Sequence, residues 1–243
     1  MAKQVGLSRN INIEWLSSVA NYAINGQSRE EAKEELNKEI GMKISSPDNI
    51  RKTREILLHI WYDNDEFLLE RAKKIYPEVG SNEKLAIHWA LITLYYPIFY
   101  DLCSTIGHVL NYKDTINTQQ IKQAIFEKWG ERQTLVHSLS KNMQTLKDIG
   151  AVYEAGKSGQ YKIKDHAISD YQAIGLLLAA ILKSDDKTYI SWPELKEHAS
   201  LFPFSMSSVD ESYMAALDYI ELNRFNGKVA MQLRECGGNY VGK

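Results

Sequence analysis

Gln133, Thr134, His137, Lys141, Gln144 and Thr145 follow one another at spacings of one, three and four residues, so a helix would gather them along one side. Amides, hydroxyls and a cation are the groups that hydrogen-bond to base edges and phosphate oxygens in a DNA major groove. Asp148 shares that side, and Leu135, Leu139 and Leu146 lie opposite it. Further along, Lys157, Lys162 and Lys164 surround a glycine-bounded turn. The expectation is that Lys141 and Gln144 face the groove, Thr134 and His137 meet its edge, and the three lysines hold phosphates, with Gln133 and Thr145 on the same contact face. An ordinary solvated helix face uses the same side chains, so pattern alone does not separate the two readings.

Charge does part of that separation. Residues 1–112 carry 13 Lys and Arg against 15 Asp and Glu, residues 113–164 carry 9 against 5, and residues 165–243 carry 7 against 11. The whole chain sums to −2, yet its basic excess falls on the segment holding the candidate contact residues. That is the electrostatic footprint of a phosphate-contacting element.

The elements that must position these residues are marked by caps and breakers. In residues 1–112, Ile13, Trp15, Leu16, Val19, Ala20 and Ile24 form a helical stripe ending near Gly26. Ser28 with Glu31 predicts a capping box for a helix to about Ile40, and Ser46 with Pro47 starts a third helix. Asn64 or Asp65 caps a fourth, which Pro77 ends. The apolar run over 85–100 is shorter than the roughly 20 residues of a spanning helix, and Pro97 splits it into buried halves. About six short helices are expected, with no membrane partner.

After Tyr112 the pattern becomes helix, helix, strand, turn, strand. Thr118 starts the first helix, Gln133 to Asp148 is the second, and AVYEA and QYKIK frame GKSG. This is the order of a winged helix-turn-helix module over 113–164. Over 165–243 the order recurs: at an offset of 71, Met143, Leu146 and Ile149 fall on Met214, Leu217 and Ile220. Ser191 and Glu194 give another capping box, a helix is expected around 207–219, and YIEL and VAMQL flank NRFNGK. Asp210, Glu211, Asp218 and Glu221 would oppose a phosphate backbone, so this copy is expected to dock protein or close the fold. Between the copies DYQAIGLLLAAILK is apolar nearly all round, fit to join the modules or to lie in a homodimer interface. The fold class expected is mainly α, with a helical bundle followed by one or two winged modules.

Other motifs have simpler explanations. GKSG lacks the upstream glycine of a P-loop, Ala151 standing there, and sits in a hairpin. Asp185, Asp186, Glu194 and Lys196 resemble a metal-dependent nuclease pattern, but Glu194 is at a cap position rather than on a strand. DNDE at 63–66 suits a helix start. The six histidines show no metal-binding spacing, and no catalytic site or cofactor is expected. Two cysteines, Cys103 and Cys236, and an N-terminus without an apolar signal core predict a cytoplasmic protein.

The helical first part followed by TLVHSLSKNMQTLKDIGAVYEAGKSGQYKI resembles the small A-type component of BREX phage-exclusion systems. The resemblance covers roughly residues 1–180 in order of elements, and the acidic C-terminal repeat departs from it. It implies duplex DNA binding within a multi-protein bacterial antiviral defence assembly, without enzyme activity. The rival expectation is a protein-interaction scaffold, using the 171–182 helix and the acidic module, with no direct DNA contact.

Overall fold

Asn12 accepts a hydrogen bond from the Trp15 amide and starts α1 (Ile13–Ile24), which buries Trp15, Leu16, Val19, Ala20 and Ala23. The computed structural model describes residues 6–206, 209–225 and 227–234. α2 (Arg29–Gly41) opens with the full capping box, Ser28 and Glu31 each accepting from the other's amide. α3 (Pro47–Trp61) has proline in its first turn. The cap of α4 (Glu66–Ile75) is Asp65, while the Asn64 amide turns inward to the carbonyls of Ile60 and Leu91. A 3-10 turn, Tyr76–Glu78, carries the chain through Pro77. α5 (Ser81–Tyr95) and α6 (Pro97–Leu110) divide the long apolar run at Pro97, as a proline without an N–H requires.

The middle of the chain contains β1 (Ile116–Asn117), α7 (Thr118–Trp129), α8 (Gln133–Asp148), β2 (Val152–Glu154) and β3 (Gln160–Ile163). The cap of α7 is Asn117 rather than Thr118, since its carboxamide oxygen accepts from the Gln119 and Gln120 amides. β1 lies in the polar stretch that reads as a connection, and it pairs with β3 to give an antiparallel sheet of order β1-β3-β2. Gly156 and Gly159 hold positive φ at the two ends of the hairpin turn, a conformation a side chain would strain.

The rest comprises β4 (His166–Ile168), α9 (Tyr171–Ser184), β5 (Tyr189–Ser191), α10 (Trp192–Lys196), a 3-10 turn (Ala199–Leu201), β6 (Phe204–Met206), α11 (Glu211–Ala215), β7 (Ile220–Phe225) and β8 (Lys228–Leu233). The helix expected around 207–219 contracts to the five residues of α11; Ser207 and Ser208 fall outside the described residues. β5-β8-β7 is again antiparallel with the first strand beside the third, so α6-β1-α7-α8-β2-β3 and α9-β5-α10-α11-β7-β8 share one connectivity. All six residues aligned by the 71-residue offset are buried. β4 and β6 form a separate parallel pair.

One apolar cluster runs from Leu7 to Met231. α9 is its axle: residues 173–182 are all buried, and the helix packs on α5, α4 and α11. Residues 173–182 are thus covered within the chain, and Tyr171 at the start of the helix is exposed. Among the described residues no helix is long and apolar enough to cross a membrane.

Asp101, where the apolar run ends, fixes α7 to α6. It is 5 % exposed, accepts from the Trp129 indole at 2.7 Å, and pairs with Lys128 at 2.6 Å. Hydrogen bonds to charged groups contribute about 1.5–3 kcal/mol, and most of this one comes from the better-shielded indole contact. Asp101→Ala is therefore expected to cost about 2 kcal/mol in chemical denaturation, with Asp101→Asn recovering part of it; equal losses in the two variants would remove the assigned role of the charge.

Candidate nucleic-acid interface

α8 turns out to have a wider buried arc than its leucines indicate. Residues 7–11 lie along it in non-helical conformation: Leu7 O accepts from the Ser138 hydroxyl at 2.8 Å and the Asn142 amide at 3.0 Å, and the Ile11 amide donates to Thr145 Oγ1 at 3.1 Å. Thr145, expected on the outward side, is thus fully buried and out of reach of any nucleic acid. Its neighbours on the wheel, Ser138 and Asn142, are buried with it.

The other predicted residues of α8 remain together on the surface. Gln133, Thr134, His137 and Gln144 are exposed, and Lys141 is half-buried. Gln144 is partly occupied, donating to Asp148 Oδ1 at 2.6 Å, while Asn10 donates to the other oxygen of Asp148. Lys157, Lys162 and Lys164 are exposed on the hairpin and beyond its last strand. These three lysines, Lys141 and Lys122 of α7 have no carboxylate within ion-pair distance among the described residues, so their charge is available. Lys147 differs: its bond to Glu154 at 2.6 Å holds its ammonium above the usual lysine range and commits it locally.

The exposed ridge of α8 runs between two clefts. On one side Ser140 and Gln144 share a cleft of about 250 Å³ with Lys122, Ser158, Gly159 and Tyr161, which brings helix and hairpin turn together. The turn is docked there by Gly159 O, which accepts from both the amide and the hydroxyl of Thr118. On the other side His137 and Lys141 open onto a cleft of about 470 Å³ with Arg9, Lys43, Ser46 and Asn49. Sequence reasoning missed Lys122, Arg9 and Lys43, because nothing in a linear pattern places the first helices beside α8. A further cleft, about 680 Å³, has Arg51, Lys52 and Glu55 on its wall, but Asp48 pairs with both cations and Glu55 with Arg29 and Arg54.

Several other titratable groups are engaged in local ion pairs and caps. Asp185 accepts from Tyr100 at 2.7 Å and pairs with Lys187 at 2.7 Å, Lys187 also reaches Glu194 at 3.1 Å, and Ser191 caps α10 by accepting from the Glu194 amide. Asp63 pairs with Arg29, and Asp65 caps α4. Burial pushes the Cys103 thiol well above its ordinary value, away from a reactive thiolate; Cys236 lies outside the described residues. Among the described residues no three His, Cys, Asp or Glu side chains are placed to share a metal ion. In the second module Asp218 pairs with Arg71 of α4 at 2.9 Å, and Glu221 accepts from Gln232. Comparison with protein-family models, with curated proteins and with solved structures finds no match for this chain.

Proposed function

We propose that residues 113–164 act as a winged helix-turn-helix that contacts duplex DNA without catalysing a reaction on it. α8 enters the major groove with Gln133, Thr134, His137, Lys141 and Gln144, and Lys157, Lys162 and Lys164 neutralise phosphates from the wing. The observation that carries this reading is the exposed face of α8, which shares a cleft with Lys122 of α7 and the hairpin turn, together with lysines on these elements that have no ion pair among the described residues. Thr145 and Lys147 are left out of the contact set. A place in a multi-protein defence assembly follows only from the resemblance in layout.

A labelled duplex titrated at about 50 and 200 mM salt tests it, because each neutralised phosphate adds about 0.9 to the slope of log affinity against log salt. Replacing Lys157, Lys162 and Lys164 together by Gln is expected to reduce that slope by up to about 2.7. Lys141→Glu is expected to weaken binding at least about tenfold with its thermal midpoint unchanged. No duplex binding at low salt, or unchanged affinity in both variants, would reject the reading.

A second reading, a protein-docking scaffold, draws on the acidic module, where exposed Tyr171 and Tyr213 stand with ring centroids 6.0 Å apart. A stable co-purifying protein without any duplex binding would favour it.

A further inference from the structure

The cleft between α3 and α8 has features that the winged-helix reading does not call on. Its floor is the start of α3, a helix of 15 residues whose N-cap, Ser46, makes no side-chain capping bond. Pro47 has no N–H, so the free donors of that first turn are the Asp48 and Asn49 amides, at the positive end of the helix dipole. Thr53, one turn further in, is fully buried and lines the cleft, and its Oγ1 has no hydrogen-bond partner among the described residues. A buried hydroxyl left unbonded is costly, and in a native structure it marks a missing partner.

The walls supply the opposite charge to an anion. Arg9 is held by bonds from Nε to Asn49 Oδ1 at 3.0 Å and from Nη1 to Ser8 O at 2.7 Å, which leave Nη2 unengaged among the described residues. Lys141 reaches in from α8 without an ion pair among the described residues. Lys43 also lines the cleft but shares its ammonium with Glu14 at the rim. The one carboxylate in the first turn of α3, Asp48, is bound by Arg51 at 2.8 Å and Lys52 at 2.6 Å, so it offsets little of the charge facing the cleft. No carboxylate lines the cleft itself among the described residues.

We infer that this cleft binds a phosphate group, held by Thr53 Oγ1, Arg9 and Lys141, with the start of α3 contributing the positive end of its dipole beside it. A hydroxyl, a guanidinium and an ammonium with no carboxylate among them are the chemistry that recognises phosphate. The DNA reading above bears only on the source of that phosphate: a backbone phosphate of a duplex lying along α8, or free phosphate.

The test uses the full chain and inorganic phosphate against chloride at matched ionic strength and pH. At a phosphate concentration about ten times its Kd, the thermal midpoint is expected to rise by about 3–6 °C. Thr53→Val keeps the shape and removes the hydroxyl; it is expected to leave the unliganded midpoint equal or higher while weakening phosphate about five- to tenfold. Arg9→Gln and Lys141→Gln should each weaken it by a similar factor. A purely structural Thr53 would instead lower the unliganded midpoint. Phosphate that also displaces a labelled duplex, with Thr53→Val weakening both, identifies a backbone phosphate; phosphate binding without displacement identifies free phosphate. A midpoint that rises no more in phosphate than in chloride, or rises equally in the wild type and these variants, overturns the site. Duplex binding that still depends on the wing lysines would then stand by itself, and phosphate binding without any duplex binding would remove the DNA reading alone.

Discussion

Gly107→Ala is expected to destabilise the protein by about 2–3 kcal/mol, although the same exchange in an exposed helix gains about 1 kcal/mol. A Cβ at this position in α6 would stand 1.9 Å from Ala199 O, 2.6 Å from Ala199 C and 2.9 Å from Ala199 Cα. These are backbone atoms of the 3-10 turn that packs on α6, and no rotamer change can move them aside. Relief requires α6 and the turn to separate, which strips contacts from Ile106 and Leu201, both buried. Gly41→Ala is the matched control, because at the end of α2 a new Cβ meets nothing nearer than Ile50 Cδ1 at 3.9 Å. Denaturant midpoints of the two variants should move in opposite directions. A neutral Gly107→Ala would mean that the turn does not press on α6.

Acid should weaken the fold well above the range where carboxylates titrate. His88 is completely buried; its Nδ1 accepts from the Trp61 indole at 3.1 Å, so Nε2 carries the proton and donates to the Tyr76 hydroxyl at 3.1 Å. Burial, with a smaller contribution from the Lys84 charge, lowers its pKa to about 3. The unfolded chain takes up the proton near pH 6.5 and the folded chain does not, so this stability is fully present above pH 6.5 and is lost as pH falls towards 3. At about 1.4 kcal/mol per unit, roughly 3 kcal/mol has gone by pH 4, a large share of a stability of about 5–15 kcal/mol. His88→Gln can still accept from Trp61 and donate to Tyr76 but does not titrate. It should flatten the stability profile between pH 6.5 and 4.5, and a profile unchanged by that substitution would assign the acid sensitivity elsewhere.

The helices of the first 110 residues are legible in the sequence because their ends are local chemistry. The capping box of Ser28 and Glu31, the proline at 47 and the break at Pro97 each act within one turn, and each lies where the spacing predicts. α8 and the hairpin are legible for the same reason. What the linear pattern conceals is contact at long range. β1 has two residues and exists only because β3 offers it an edge, so no apolar alternation announces it. Thr145 reads as an outward residue because polar side chains usually face water. Ser138, Asn142 and Thr145 instead bond to the backbone of residues 7–11, more than 130 positions away. Lys122, Arg9 and Lys43 were hidden likewise, since their grouping with α8 depends on how separate helices pack. The helix expected over 207–219 shrinks to α11 because Asp210 caps it by accepting from the Ser212 amide, and the chain turns after Ala216 to enter β7 at Ile220.

The pairing of β4 with β6 limits how the chain can be divided. β4 follows directly on the hairpin of the first repeat, yet its partner strand comes from between the helices of the second, where His166 N also donates to Pro203 O at 3.1 Å. A cut after residue 164 would remove α9 from its seat against α5, and a cut between β4 and α9 would also leave β6 without a partner. Neither repeat is a detachable cassette. They are expected to be inherited, expressed and melted together, and a grafted 113–164 segment would need a substitute for the scaffold it leaves behind.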